Sequence, residues 1–410
     1  MKNKKEDNKT MALTGIPVIN DQLDMLNHLI AHQNAAIDLL ASDKRAELVS
    51  NLAEIAELVR ADELLEVMDY GDQIVLPWTN GTTEITAPMN LCHLENATLE
   101  DGETMKVADI EWHYVLPFDT QYDASEAIYE VPAAGLTAGT YYFTIKNDSW
   151  GNNNNKIVEF TLAEDLTEGM QIRKKSGAYN ASISNCTLGL YTSATDLTGT
   201  ELAFSVVETA SGTNLGDTDG TGDCNHWQRV IFGYNRWKTS AIRQFLNSTA
   251  EAGSWWTKQN KWDVKPAYAD SRDGFLHGYS EELLHYMQVT KVTTAKNTVT
   301  EDGELEDTYD RVFLASLEQT YINPEKSGEG EYWEYYKRLL GRTTPAAQGS
   351  TYARLIKYDV SARTTARLRW LRSAYRGYAY IVWLIGTGGY VGYHTASGGS
   401  RVAPCLRIGL

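Results

Sequence analysis

Cysteine is scarce. The 410 residues hold four, Cys92, Cys186, Cys224 and Cys405, and no two form a C-x-x-C pair. That spacing supplies neither a metal site nor a legible disulfide framework. Apolar runs are short, and none reaches the ~18 residues of a membrane-spanning helix, so no membrane insertion is expected. The N-terminal stretch MKNKKEDNKTMALTGIP is basic and polar without an apolar core, so no secretory signal is expected either. Basic charge is in deficit. Lys and Arg total 37 against 54 Asp and Glu, a net charge of -17, which disfavours bulk binding to nucleic acid or anionic membrane. His226, His277, His285 and His394 lack the H-x-x-x-H spacing of a metal site. Glu281-Glu282 and the Glu304/Glu306 pair lie in polar stretches and read as solvated faces. No enzyme, cofactor or metal is expected from this inventory.

A hydrophobic content of 42% is that of a globular chain, and the length predicts two or three domains. Residues 1–15 are polar and charged and are expected to form a disordered tail. Residues 16–68 are expected to be helical. Leu23, Leu26, Ile30, Ile37 and Leu40 step by threes and fours, and Leu48, Leu52, Ile55 and Val59 resume the stepping after Ser42-Asp43. That pattern fits a coiled-coil seam driving a homotrimer, or an amphipathic hairpin docked on the next domain. From 69 to 207 the chain turns rich in Gly, Asn and Thr. Strand-like runs occur at 73–77, 110–116, 140–145, 157–162 and 202–207, the signature of an antiparallel, sandwich-like spacer. A turn phrase recurs at 135–139, 165–169 and 196–199, and Trp150–Asn155 reads as a loop tip. Residues 208–224 form a linker. Its Asp217, Asp219 and Asp223 lack the spacing and the final Glu of a calcium hand.

The last stretch, 367–410, has its own composition. It carries Arg367, Arg369, Arg372, Arg376, Arg401 and Arg407 and no Asp, Glu or Lys. Two apolar runs, 378–385 and 390–393, flank Gly386-Thr387-Gly388-Gly389, which predicts a hairpin. Tyr, Gly, Ser, His and Thr fill the remaining places, the palette of adaptable recognition loops. The ordered frame Leu371-Arg372-Ser373-Ala374, Arg376-Gly377, Ala379, Val382-Trp383, Thr387, Gly389, Val391, Ala396 and Arg401-Val402-Ala403-Pro404 resembles the variable region of diversity-generating retroelement target proteins of the C-type-lectin-like group found in gut phages. Ile385 stands where Val is commoner in that family. Earlier phrases fit the same family in order: Phe232 to Trp237, Ser240 to Ser248, Tyr309 to Glu318 and Glu329 to Tyr336.

The resemblance implies an α+β C-type-lectin-like domain over 225–410, with its variable region at 367–404. The fold class expected for the whole chain is therefore multidomain: a helical segment, an all-β middle and that α+β domain. In the family, adenine-directed mutation diversifies the open positions and cannot reach Lys, Glu, Gln, Met or Trp. Here the open positions are Tyr378, Tyr380, Ile381, Leu384, Gly386, Gly388, Tyr390, Gly392, Tyr393, His394, Thr395, Ser397, Gly398 and Ser400, and none is of an unreachable type. They are the expected ligand-binding residues. Strand alternation is expected to turn Tyr378, Tyr380, Ile381, Leu384, Tyr390, Tyr393 and His394 to solvent as one patch and to bury Trp383 and Val391 beneath it. The related scaffold of formylglycine-generating oxidases needs two reactive cysteines near the C-terminal end, where this chain has Cys405 alone.

The function implied is that of a phage tail-fibre receptor-binding protein on the virion. Its partners would be a host cell-surface protein or glycan and, through the N-terminal region, other phage tail proteins. A bacterial surface adhesin or a calcium-independent lectin of fixed specificity is the alternative. Nucleic acid is not an expected partner.

Overall fold

Residues 104–112 carry the pattern on which the fold is built. Val107, Ala108, Ile110 and Trp112 are buried, and so are Asp109 and Glu111 between them. A strand buried on both faces belongs at the centre of a sheet. In the computed structural model, which describes residues 45–81, 83–130, 137–147, 156–162, 165, 171–175, 186–191, 205–206, 232–260 and 263–410, that is its place. Gln73–Asn80, Thr83–Thr98 and Thr104–Trp112 pair in sequence order, Pro404–Ile408 adds next, and Val312–Leu314 closes the sheet. All four pairings are antiparallel.

This sheet crosses the expected domain boundary. The sequence placed 69–207 in a spacer and 225–410 in a separate domain. Instead Cys405 pairs with Glu111, Leu406 with Ile110 and Arg407 with Asp109, and residues 49–410 make one compact unit. Composition changes along the chain, whereas sheet pairing is non-local, so the compositional boundary was not a structural one. The chain is mostly β with a few short helices among the described residues.

Between the central strands and residue 207, two three-stranded antiparallel sheets are described. One sets Gly139–Asn147 between Lys156–Leu162 and Cys186–Tyr191, and the other sets Glu126–Glu130 between Gln171–Lys175 and Ser205–Val206. The expected strands at 140–145, 157–162 and 202–207 correspond to three of these. The tail, the stepping from Leu23 to Leu40, the three turn phrases in most of their length, the Trp150–Asn155 tip and the acidic linker lie outside the described residues. The Arg45–Ala61 helix is described, and from its second half Leu52, Ala56 and Val59 pack into the core, with Ile55 against it. Those side chains dock on the chain's own β domain.

Ion pairs tie the early strands to the C-terminal cassette. Arg369 reaches Glu111 (2.9 Å), which also takes Lys357 (3.1 Å) and the Tyr336 hydroxyl. Arg407 reaches Asp109 (2.9 Å) and Glu95, and Arg401 reaches Asp119 (2.7 Å). Three of the cassette's arginines are thus paired with carboxylates of residues 95–119, and Arg367 lies against Asp359 (3.4 Å). Burial, followed by repulsion from Glu95, pushes the Asp109 carboxyl up to about 7 against the pull of Arg407. Burial likewise pulls the Lys357 ammonium below its ordinary value, against Glu111.

Candidate functional site

The hairpin is present and belongs to a second sheet. Arg369–Ala374, Ile381–Ile385 and Val391–Thr395 form a three-stranded antiparallel sheet in that order. The turn at 386–389 closes through Gly386 N–H donating to the Tyr390 carbonyl (2.8 Å) and Gly389 N–H to the Gly386 carbonyl (2.9 Å). Gly389 has φ of +81°, and a Cβ there would lie 2.1 Å from the Tyr352 carbonyl oxygen. Only glycine fits, so this frame position has a steric cause.

The expected separation of open and frame positions by face does not occur. Trp383 lies directly across from Tyr393, and Val382 from His394, and cross-strand partners share a face. One face therefore carries Ile381, Trp383, Ile385, Val391, Tyr393 and Thr395. The other carries Val382, Leu384, Gly392 and His394. All five residues of Ile381–Ile385 are buried, because this strand is central and covered on both sides. Tyr380 (8% exposed), Ile381 (8%) and Leu384 (4%) are core residues; Gly386, Gly392 and Ser400 are buried too. Placing Tyr380, Ile381 and Leu384 on a solvent face was incorrect. Their apolar type suits a surface or a core equally, and the sequence pattern could not reveal the covering layer. Trp383 and Val391 are buried as expected.

The other open positions come together at the turn and the edge strand. Tyr390 is 48% and Tyr393 52% exposed. Gly388 and His394 are exposed as well, and Tyr378, Thr395, Ser397 and Gly398 are half-buried. Beneath Tyr393 lies an aromatic base. Trp383 stacks on Tyr375 (5.1 Å between centroids, 17°), and the Tyr393 ring meets both edge-on, at 5.8 and 4.8 Å. Glu325 accepts from Trp383 Nε1 (3.3 Å) and from the Arg376 backbone N–H (2.7 Å), which fixes this base against the preceding loop. Burial, followed by the Glu325 charge, raises the Tyr375 hydroxyl above its ordinary value.

Two open glycines lie under two open rings. A Cβ on Gly392 would meet Tyr390 Cε1 at 2.7 Å, and one on Gly398 would meet His394 Nδ1 at 2.2 Å. Both obstacles are ends of side chains that reach solvent, so either can swing away.

Asn235 is a positioning residue that the sequence did not single out. It is fully buried, and its Nδ2 donates to the carbonyls of Tyr378 (2.6 Å), Ile381 (2.9 Å) and Tyr375 (3.3 Å), while Oδ1 accepts from Asn297 (3.1 Å). It clasps the loop that carries Tyr378. The signal was its place in the Phe232 to Trp237 phrase; no pattern named its role.

Two further places hold polar or reactive groups. A polar cavity of about 130 Å³ is lined by Glu95, Lys291, Glu329, Arg372 and Arg407 among others. Its guanidiniums are already used: Arg372 donates to the Leu314 carbonyl (2.7 Å) and to Gln319 and the Glu329 carbonyl, and Arg407 donates to Asp109, Thr290 and the Lys291 carbonyl. Cys92 and Cys405 flank Glu111, but both are buried and burial holds their thiols well above the ordinary value, the opposite of an activated nucleophile.

A family model described as a domain of unknown function, DUF6273, matches residues 213–409, a little under half of the chain. The chain is similar to that family over this segment, which includes the whole candidate face but only two of the five central strands. No curated protein and no solved structure matches.

Proposed function

We propose that the turn and edge strand bearing Tyr390, Tyr393 and His394 form a recognition surface, and that the protein is a non-catalytic receptor-binding protein. The observation that carries this reading is the pairing of exposed, displaceable rings with a backbone that is locked at Gly389 and a base that is buried at Trp383. Tyr and His offer contact area on such a platform without being needed by the core. The particular reading is a phage tail-fibre protein, with a C-type-lectin-like domain diversified by a retroelement, that binds a host cell-surface protein or glycan. A bacterial adhesin or a calcium-independent lectin of fixed specificity is the second reading. Six of the open positions are buried, so fewer side chains are left for contact, and avidity from a homotrimer would offset weak single contacts. In this reading that assembly, and any attachment to other tail proteins, belongs to the segment 16–68, in which Leu52 and Val59 are used to dock on the β domain. The test is adsorption of the purified chain to a panel of bacterial cells. Tyr390→Ala with Tyr393→Ala should abolish it while thermal unfolding stays cooperative; unchanged adsorption rejects the reading.

A further inference from the structure

The Val391–Thr395 strand is an edge strand, and its outward backbone groups are only partly used. Val391 donates its N–H to the Ser350 carbonyl (2.9 Å) and accepts from the Gly349 N–H (3.0 Å). On the inward side, Ala396 donates to the Tyr380 carbonyl (2.8 Å) and the Tyr390 carbonyl accepts from Gly386. Odd-numbered residues of this strand thus turn their backbone groups away from Ile381–Ile385, as antiparallel alternation requires. Tyr393 therefore points both its N–H and its carbonyl outward, and the next outward N–H is that of Thr395. The Thr395 carbonyl is taken by the Gly398 N–H (2.9 Å). Among the described residues no hydrogen bond reaches the Tyr393 N–H or carbonyl from that side, nor the Thr395 N–H.

Resting on the reading of this face as a recognition surface, we propose that the open edge at Tyr393 docks one short extended peptide segment of a partner protein. The segment runs antiparallel to Val391–Thr395. Its residue opposite Tyr393 exchanges two hydrogen bonds with it, and its residue two places earlier accepts one from the Thr395 N–H. A donor–acceptor pair on one residue with a further donor about 7 Å along the strand is the repeat of a peptide backbone, and a sugar ring does not reproduce it. A second copy paired two-fold through Tyr393 does not fit this edge. A two-fold pairing through Tyr393 would set Thr395 of that copy opposite Val391, where Gly349 and Ser350 already hold both outward groups. The incoming segment must end or turn away just past Tyr393. Backbone bonds would supply affinity, and the Tyr393 ring on one face and His394 on the other would select the flanking side chains.

The test uses the full chain and an array of N-acetylated, C-amidated hexapeptides built from Val, Ile, Thr, Tyr and Ser. Some members should be retained. In the best of them, N-methylation of a single residue should weaken binding roughly tenfold or more, and methylation of its two neighbours should change it by less than about threefold. Tyr393→Pro should abolish retention, because proline deletes an outward N–H that the ladder does not use, whereas Tyr393→Ala should keep the single-position methylation pattern. No retained peptide, a methylation profile without a single sensitive position, or full retention by Tyr393→Pro overturns the proposal. If cell adsorption is lost with Tyr390→Ala while no hexapeptide binds, the peptide site fails and the recognition surface stands. A glycan retained by the native chain and released by Tyr393→Pro would likewise overturn the peptide as occupant.

Discussion

Truncating four aromatic residues of the hairpin region, one at a time, separates base from surface. Trp383 is 3% exposed, stacked on Tyr375 and met edge-on by Tyr393. Removal of a buried aromatic costs about 3–5 kcal/mol, and here it also leaves Glu325 without its indole donor. Tyr380, packed on Phe232 (5.6 Å) and Tyr378 (5.7 Å), belongs to the same class, at roughly 3 kcal/mol or more. Tyr393 is half out of water. Half the burial of such a side chain is worth about 1 kcal/mol, and each of its two edge-on contacts adds ~0.5–1.5 kcal/mol, so Tyr393→Ala should cost about 2–4 kcal/mol. Tyr390 covers Gly392 and no described ring, and Tyr390→Ala should cost about 1 kcal/mol. Urea unfolding followed by tryptophan fluorescence measures the order: Trp383 and Tyr380 largest, Tyr393 intermediate, Tyr390 least. The same four proteins go into the adsorption assay, where Tyr390→Ala and Tyr393→Ala should lose binding out of proportion to their stability loss. If Tyr393→Ala destabilises as much as Trp383→Ala, the exposed tyrosines are part of the core and the surface argument fails. A pair that combines Tyr380 with Tyr393 cannot make this distinction, since Tyr380 is itself a core side chain.

The segment 213–410 expressed alone should not fold: it lacks three of the five central strands and leaves the buried Arg369 and Arg407 without Glu111, Asp109 and Glu95. An unpaired buried charge costs about 3–5 kcal/mol against a total of ~5–15 kcal/mol, and a cooperative near-UV thermal transition in the fragment would refute this. Asp109→Asn should change the pH dependence of stability. A carboxyl raised from 3.8 to about 7 in the folded chain binds more protons folded than unfolded, so its contribution is full below about 4 and is lost as pH rises to about 7, at up to ~1.4 kcal/mol per pH unit. Urea midpoints between those limits should fall less with pH in the variant than in the native chain, and parallel curves would exclude the assignment. Asn235→Ala removes three donations to backbone carbonyls and should cost about 2–4 kcal/mol; hydrogen exchange should then accelerate at residues 375–381, and unchanged exchange there would show that the clasp is not needed.

How far the sequence reached is best judged at two places. The hairpin and its glycine turn were legible because apolar runs and turn chemistry are local signals; Trp383 is buried as expected, but because its strand is covered on both faces and not through alternation. A different local signal, three-and-four spacing, marks the helix at Ala241–Leu246: Ile242, Phe245 and Leu246 share a face, and Ser240 caps it by accepting from the Arg243 N–H. Strand pairing across hundreds of residues leaves no such trace. Nothing near residue 109 announces Arg407, and nothing near Arg407 announces Asp109.

The same limit explains the error at Tyr380, Ile381 and Leu384. The resemblance sorted positions into open and frame by letter, which is a statement about variation. Exposure depends on whether a strand lies at the centre or the edge of its sheet. The open positions Tyr390, Tyr393 and His394 lie on the turn and the edge strand and reach water, and Ile381 and Leu384 lie on the central strand and do not. Substitution can therefore act in two ways here. On the edge it changes the contact surface directly. At the centre it must preserve volume, and what it alters is the seating of Tyr375, Trp370 and their neighbours beneath that surface. If the recognition reading holds, polar replacements should be tolerated at 390, 393 and 394 and rejected at 381 and 384.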